Sequence, residues 1–98
     1  TAIVCVNDYM AIGAMRAVRS RGLSVPGDIS VTGFENIEFS EFTNPALTTV
    51  NIPRRAIGQM AVEGLLKTDD KPGREIVIEP ELVLRDSTGS HRERRVAG

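Results

Sequence analysis

Cysteine and histidine are almost missing from this chain of 98 residues, which contains one of each, Cys5 and His91. A single cysteine cannot form an internal disulfide bond, and it excludes a cysteine-rich zinc site. A single histidine removes most metal-binding and triad chemistry. Because Cys5 lies in an apolar run with no neighbouring base, we interpret it as a small core residue. The composition therefore disfavours an enzyme, and we expect no catalytic residue, metal or cofactor.

Long apolar runs, an excess of charge and phosphate-binding glycine motifs are also lacking. No run approaches the roughly 18 apolar residues of a membrane span, so we expect no association with a membrane. The 12 Lys and Arg nearly balance the 13 Asp and Glu, and 41% of the residues are hydrophobic. This balance argues against intrinsic disorder. The glycines form neither GxGxxG nor GxxxxGK[ST], so the sequence does not support a phosphate-binding loop.

Strand-like and helix-like segments alternate along the chain. Residues 2–6 form a short apolar run typical of a buried strand. A helical pattern follows and ends at Gly22, the residue type that most often stops a helix. Residues 29–33 resemble a second strand, so the first third of the chain is a βαβ unit. The later predicted elements are a strand at 47–50, a helix at 53–67, and residues 75–78 and 81–84 as two short strands or one broken strand. The predicted fold class is α/β, with a mostly parallel sheet flanked by helices.

The two ends of the chain carry separate expectations. The chain opens at Thr1 directly into the first strand, where domain boundaries rarely fall, so we expect a piece of a longer protein. Residues 87–98 are polar and basic without periodicity, which predicts a flexible tail. The basic residues of this region lack interleaved aromatics, so we interpret them as solvated charges and not as a nucleic-acid site. They are Arg92, Arg94 and Arg95, together with Arg85 just before this region.

Polar residues follow the first two predicted strands at their carboxyl ends: Asn7 and Asp8 after the first, and Glu35 after the second. Ligands of open α/β sheets bind outside these ends, so both turns point at one crevice. An amide beside an acceptor-only carboxylate suits a polyhydroxylated ligand. Tyr9 adds a flat face for a sugar ring, although a plain helix-surface position also explains it. We predict that Asp8 caps the helix, whereas ligand-binding and purely structural roles stay open for Asn7 and Glu35.

The first predicted helix carries two apolar faces. The face expected to pack on the sheet consists of Met10, Ala11, Ala14, Ala17 and Val18. A second strip, flanked by arginines, lies away from it, and aromatic residues of the next connection extend it. Isolated surface hydrophobes are normal, but a strip of this kind favours an oligomer interface. The residues predicted to form a dimer interface are Ile12, Met15, Arg16, Arg19, Phe39 and Phe42.

Five segments of the chain resemble, in order and spacing, the C-terminal part of LacI/GalR-family transcriptional regulators. They are VNDYMAIGA (residues 6–14), GLSVPGDISVTGF (22–34), PALTTV (45–50), GQMA (58–61) and ELVLRDS (81–87). The resemblance covers residues 2 to about 88. No single segment is decisive, but five in register are highly specific.

The resemblance implies a fragment of a periplasmic-binding-protein-like (type I) effector core, which has two α/β lobes. Residues 1–49 would belong to the C-terminal lobe. Residues 50–79 would cross over and add a helix and a strand to the N-terminal lobe, and residues 80–98 would return and form the tail. Asn7 and Glu35 match effector-contacting positions, although the family usually has aspartate where this chain has Glu35. The face of the first helix and residues 39–43 match positions that pack in the family's dimer.

The function implied by the resemblance is that of the effector-sensing and dimerisation part of a cytoplasmic bacterial regulator. A small molecule, a sugar or a related compound, would change operator affinity allosterically. DNA would bind only through an N-terminal helix-turn-helix outside this chain. An alternative is a periplasmic sugar- or solute-binding protein of a transport system, which shares the two-lobe core. The segment upstream of Thr1 would discriminate, since a regulator needs a helix-turn-helix and a transport protein a signal peptide.

Overall fold

The computed structural model describes residues 1–67 and 75–91. Strands and helices alternate as predicted, although each strand is only three residues long. The elements in chain order are β1 (Ala2–Val4), α1 (Asp8–Ser20), β2 (Ser30–Thr32), a 3₁₀ helix (Glu38–Glu41), β3 (Thr49–Asn51), α2 (Arg54–Leu66) and β4 (Glu81–Val83). The strand predicted at residues 75–78 is wrong, because residues 75–80 have no regular structure. Residues 68–74 lie outside the described residues.

Two small sheets organise the described residues. β1 pairs with β2 in parallel, with Ile3 opposite Val31, and α1 connects the two strands as in the predicted βαβ unit. β3 pairs with β4 antiparallel, with Val50 opposite Leu82. The chain between β2 and β3 joins the sheets, because the Gly33 N–H donates to the Thr48 carbonyl over 2.9 Å. The second helix, α2, follows β3 directly.

The core lies between α1 and β2. Its buried members are Ala11, Met15, Val31 and Leu47. The face that α1 buries consists of Asp8, Ala11, Met15 and Val18. The predicted core face is therefore rotated: Met10 is 58% exposed, whereas Met15, predicted to lie at a dimer interface, is 1% exposed. Burying Met15 removes far more apolar area from water than burying the neighbouring alanines would.

Both ends of α1 are capped by local hydrogen bonds. The Asn7 side-chain oxygen accepts from the Met10 N–H over 2.9 Å. The predicted cap, Asp8, is wrong, because this residue is the first of the helix and its carboxylate points elsewhere. At the C-terminal end Gly22 has φ of 75°, and the Leu23 N–H donates to the Val18 carbonyl over 3.2 Å. This is the Schellman arrangement, so the stop predicted at Gly22 is confirmed.

The flexible tail was predicted to begin at residue 87, but this boundary is too early in the chain. Ser87 is fully buried, and its hydroxyl accepts from the Thr48 N–H over 2.8 Å and donates to the Val31 carbonyl over 2.6 Å. A small polar residue inside a polar segment gives no periodic signal, so only the folded chain reveals that Ser87 bridges β2 and the residue before β3. His91 lies at the end of the described region, with Nδ1 3.2 Å from the Thr1 hydroxyl. Residues 92–98, including Arg92, lie outside it.

The second helix, α2, buries none of its residues. Among its apolar side chains, Ile57 and Met60 are each about two-fifths exposed and Leu65 is almost fully exposed. Neither α2 nor α1 has the length and apolar character required to cross a membrane. The core therefore lies in the unit that contains α1, β1 and β2, and α2 lies outside it.

Candidate functional site

The turns that follow β1 and β2 lie side by side, as predicted. The Asp8 N–H donates to the Phe34 carbonyl over 3.1 Å, and the Cys5 N–H donates to the Thr32 carbonyl over 2.9 Å. Asn7 and Glu35 each adjoin the first of these bonded pairs in sequence. Because β1 and β2 are parallel, both turns stand at the carboxyl edge of the sheet.

Asn7 is half-buried at this edge. Its side-chain oxygen is occupied by the cap of α1. Its amide nitrogen makes no hydrogen bond within residues 1–67 and 75–91, so it is free to donate. The structural interpretation and the ligand interpretation of Asn7 are therefore compatible, because they use different atoms of one side chain.

Glu35 has a backbone conformation that side-chain-bearing residues rarely adopt, with φ of 103°. Its N–H donates to the Val50 carbonyl over 3.0 Å, and its own carbonyl accepts from Arg54 Nη1 over 2.7 Å. The side chain is exposed, and its carboxylate has no partner among the described residues. The backbone of Glu35 is therefore held by hydrogen bonds, while its carboxylate is exposed to solvent and can accept hydrogen bonds.

Tyr9, the third residue predicted to contact a ligand, lies in the first turn of α1 and is 72% exposed. Its ring is thus accessible near Asn7 in sequence, but no described residue holds it in place.

Asp8 has a structural role, but it is not the helix cap that the sequence predicted. It is fully buried, and its carboxylate accepts from the Ile37 N–H over 2.7 Å and from the Thr49 hydroxyl over 2.5 Å. Gly33 allows this approach, because a Cβ on Gly33 would overlap the Asp8 carboxylate. Asp8 therefore ties the start of α1 to the segment that follows Glu35 and to β3.

A second polar cluster, which includes the residue that follows Glu35, was not predicted from the sequence. Arg85, interpreted there as a solvated charge, is half-buried, and its guanidinium donates to Ser40, Leu47 and Asn36. Polar composition alone cannot show this, since the partners come from segments that are about 40 to 50 residues away. No buried side-chain nitrogen or oxygen in the described part of the chain lacks a hydrogen-bond partner.

Two open hollows lie next to this edge, around the start of α2. The larger, of about 570 Å³, is lined by Asn51, Ile52, Pro53, Arg54, Arg55, Ala56 and Gln59. The smaller, of about 270 Å³, is lined by Asn51, Pro53, Glu79, Pro80 and Glu81. Neither hollow is lined by Asn7 or Glu35.

The predicted dimer residues divide into two groups. Phe39 and Phe42 are each 69% exposed. Residues 37–44 run beside α1, because the Ile37 N–H is bound by Asp8 and the Asn44 carbonyl accepts from Arg19 Nη1. Arg16 is exposed like Arg19, but Ile12 is partly buried against the core and Met15 lies within it. The outward strip is therefore smaller than predicted.

The described residues offer little for covalent or metal chemistry. Burial raises the pKa of the Cys5 thiol, which lowers the fraction of reactive thiolate at neutral pH. No group of three His, Cys, Asp or Glu side chains in residues 1–67 and 75–91 is arranged to hold a metal ion. The residues brought together at the site donate and accept hydrogen bonds.

The family model for the periplasmic binding protein-like domain matches residues 1–88. This chain belongs to the periplasmic binding protein-like domain family. Its curated relatives include the HTH-type transcriptional regulator MalR of Streptomyces coelicolor, which is 50% identical over 93 residues covering 92% of this chain and 27% of the relative. The HTH-type transcriptional repressor PurR of Aliivibrio fischeri is 44% identical over 93 residues, 92% of this chain and 28% of the relative.

This periplasmic binding protein-like chain is also similar to a regulator of known structure. A crystal structure of the lac repressor dimer, bound to operator and the anti-inducer ONPF, matches with a TM-score of 0.87 and 38% identity over 92% of this chain and 32% of that one. The chain thus spans between a quarter and a third of the length of its relatives. The resemblance to the LacI/GalR family and the α/β fold class are confirmed. Both curated relatives are transcriptional regulators.

Proposed function

We propose that this chain is the effector-sensing and dimerisation part of a cytoplasmic LacI-family transcriptional regulator. A small molecule, a sugar or a related compound, binds at the carboxyl edge of β1 and β2 and changes the affinity of the regulator for its operator. The observation that carries the proposal is the hydrogen bond between the Asp8 N–H and the Phe34 carbonyl, which holds the turns of Asn7 and Glu35 together.

The chemistry of this edge suits a polyhydroxylated ligand. The Asn7 amide nitrogen donates hydrogen bonds and the Glu35 carboxylate accepts them. A ligand hydroxyl group can pair with both, because it accepts as well as donates. The exposed ring of Tyr9 offers an apolar face to a sugar ring. The ligand is bound and released unchanged.

The proposed mechanism is closure of two lobes around the ligand. In this scheme residues 1–49 belong to the C-terminal lobe, residues 50–79 cross to the N-terminal lobe and residues 80–98 return. The core within the first segment and the absence of buried residues in α2 support this division. β3 and β4 are then two crossing segments, paired antiparallel. A ligand that bridges the lobes favours one orientation only by binding it more tightly than the other.

The proposed dimer interface uses the outward side of α1 and the aromatic residues beside it. Phe39 and Phe42 supply exposed apolar area, with Arg16 and Arg19 at its margin. Exposed aromatic clusters of this kind are enriched at interfaces. The homodimer would pass the lobe orientation to DNA-binding domains outside this chain.

A thermal-shift experiment on the full-length protein tests the ligand site. The panel consists of D-glucose, D-galactose, maltose, adenosine and guanosine, and a bound compound raises the melting temperature. We expect the shift to disappear in the double variant Asn7→Ser/Glu35→Ala, in which serine preserves the helix cap. Glu41→Ala, an exposed glutamate outside the site, is the matched control. A full shift in the double variant would show that the ligand binds elsewhere.

DNA binding separates the regulator from the alternative of a periplasmic solute-binding protein. The measurement is fluorescence anisotropy of a DNA fragment from upstream of the protein's own gene. We expect the bound panel compound to change the affinity at least 5-fold, within the range of typical couplings. A protein that binds the compound but no DNA would favour the transport alternative.

A further inference from the structure

Two consecutive residues at the candidate site have left-handed backbone conformations without being glycine. Glu35 has φ of 103° and Asn36 has φ of 57°. Asparagine tolerates this region, but glutamate at such a φ is strained. A strained backbone persists only where the surrounding structure over-determines it. The hydrogen bonds of Asn36 therefore bear on how firmly this turn is held.

The Asn36 side chain is bonded at both of its polar atoms. Its amide nitrogen donates to the Asn51 side-chain oxygen over 3.0 Å. Its oxygen lies 2.9 Å from the Ser40 hydroxyl and accepts from Arg85 Nη2, also over 2.9 Å. The Asn36 N–H donates to the Thr49 hydroxyl over 3.3 Å. Asn36 thus joins the turn of Glu35 to β3 and to the segment after β4.

The Arg85 guanidinium donates three hydrogen bonds within this network. Nη1 donates to the Ser40 hydroxyl over 2.7 Å and to the Leu47 carbonyl over 3.0 Å, while Nη2 reaches Asn36. The Arg85 N–H also donates to the Thr48 hydroxyl over 3.0 Å. A lysine cannot reproduce the planar fork that reaches three acceptors at once. The shape of the guanidinium, and not only its charge, is required here.

We infer that Arg85 is a positioning residue for the effector: by holding Asn36 and Ser40, it fixes the left-handed turn that presents Glu35. The inference rests on the proposed function, because it assigns a role at the same site. Arg85 does not touch the ligand itself. It connects the segment after β4 to the turn proposed to contact the effector.

The first test needs no effector. Hydrogen exchange of the full-length protein, followed by mass spectrometry of peptides covering residues 34–40, reports on the turn directly. We expect Arg85→Lys to exchange there at least 5-fold faster than the unsubstituted protein. Asp86→Ala, an exposed neighbour, is the matched control and should exchange normally. Unchanged exchange in Arg85→Lys would overturn the inference.

The second test separates positioning from general stability. Binding of the panel compound with the largest thermal shift is measured by calorimetry for Arg85→Lys in two backgrounds. With Glu35 present we expect about 10-fold weaker binding. With Glu35→Ala already made, Arg85→Lys should change the dissociation constant less than 2-fold, because residues that act through one another are not additive. An equal loss in both backgrounds would show that Arg85 acts only on stability and overturn the inference.

The two proposals can fail separately. If no panel compound binds, the proposed function fails, and the hydrogen-exchange result alone decides whether Arg85 holds the turn. If a compound binds through Asn7 and Glu35 while Arg85→Lys neither accelerates exchange nor weakens binding, the proposed function stands and the role of Arg85 is refuted.

Discussion

The buried carboxylate of Asp8 connects more of this structure than any capping role would require. It stands at the first residue of α1, where the partial positive charge of the helix end favours an anion. Its two acceptor oxygens satisfy the Ile37 N–H and the Thr49 hydroxyl. Asp8 therefore fixes both the rotation of α1 and the path of the chain after Glu35.

Replacing Asp8 by asparagine removes one of these acceptors while preserving the size of the side chain. One buried donor is left without a partner, which costs about 1–3 kcal/mol. We expect Asp8→Asn to lower the free energy of unfolding of the full-length protein by that amount, measured by urea denaturation. Asp86→Asn, at an exposed position, should leave it unchanged. Equal stability of the two variants would contradict the role assigned to Asp8.

Gly33 is the residue whose lack of a side chain allows the Asp8 arrangement. A Cβ at this position would overlap the Asp8 carboxylate and lie about 3.0 Å from a methyl group of Leu47. We expect Gly33→Ala to lower the free energy of unfolding by about 1–3 kcal/mol, because a packed core resists added volume. Gly64→Ala is the control, since nothing lies within 4 Å of its Cβ position. If Gly33→Ala denatured at the urea concentration of the control, the packing argument would be wrong.

At the scale of secondary-structure elements, α1 connects structure and proposed function through its first residues. The cap from Asn7 stabilises the helix, and the same side chain presents its amide nitrogen at the candidate site. Because the cap uses the oxygen and the ligand would use the nitrogen, the two contributions can be measured separately.

Two substitutions of Asn7 make that separation. Asn7→Ala removes cap and donor, whereas Asn7→Ser removes the amide donor and preserves a capping oxygen. We expect Asn7→Ala to lower the free energy of unfolding by about 1 kcal/mol, and Asn7→Ser to lower it by only a fraction of that amount. Both should reduce the thermal shift caused by the panel compound. A normal ligand shift in Asn7→Ala would limit Asn7 to its structural role.

At the scale of the whole molecule, apolar side chains remain exposed on β1 and α2. Val4 is 82% exposed and Leu65 is 84% exposed. Large exposed apolar patches mark surfaces that pack against something else. The relatives that this chain matches are three to four times its length. In the proposed two-lobe core, further segments of the full-length protein cover these surfaces.

Association of the full-length protein tests the proposed dimer. We expect Phe39→Ser/Phe42→Ser to convert a dimer into a monomer in sedimentation velocity at micromolar concentration, because the interface loses its exposed aromatic area. Glu38→Ser/Glu41→Ser, at the two ends of the 3₁₀ helix that contains Phe39, should remain dimeric. A dimeric aromatic double variant would place the interface elsewhere.

Local patterns predicted the features of this protein that depend on neighbouring residues. The helix stop at Gly22 follows from its φ requirement, and the approach of the turns of Asn7 and Glu35 follows from two parallel strands ending at one edge. The rotation of α1 could not be predicted, because alanine-rich helices offer several faces of similar hydrophobicity. Burial of Met15 was decided by the space beside Val31 and Leu47.

The sequence by itself determined the α/β class, the βαβ unit and the family, since these depend on periodicity and on short motifs in register. Only the tertiary structure decided the partners of Asp8, Arg85 and Ser87. Each of these polar side chains bonds to groups between 29 and 56 residues away, so nothing beside it in the sequence distinguishes it from a solvated residue. Hydrophobic spacing reports which residues leave water, whereas polar pairing depends on where distant backbone groups come to lie.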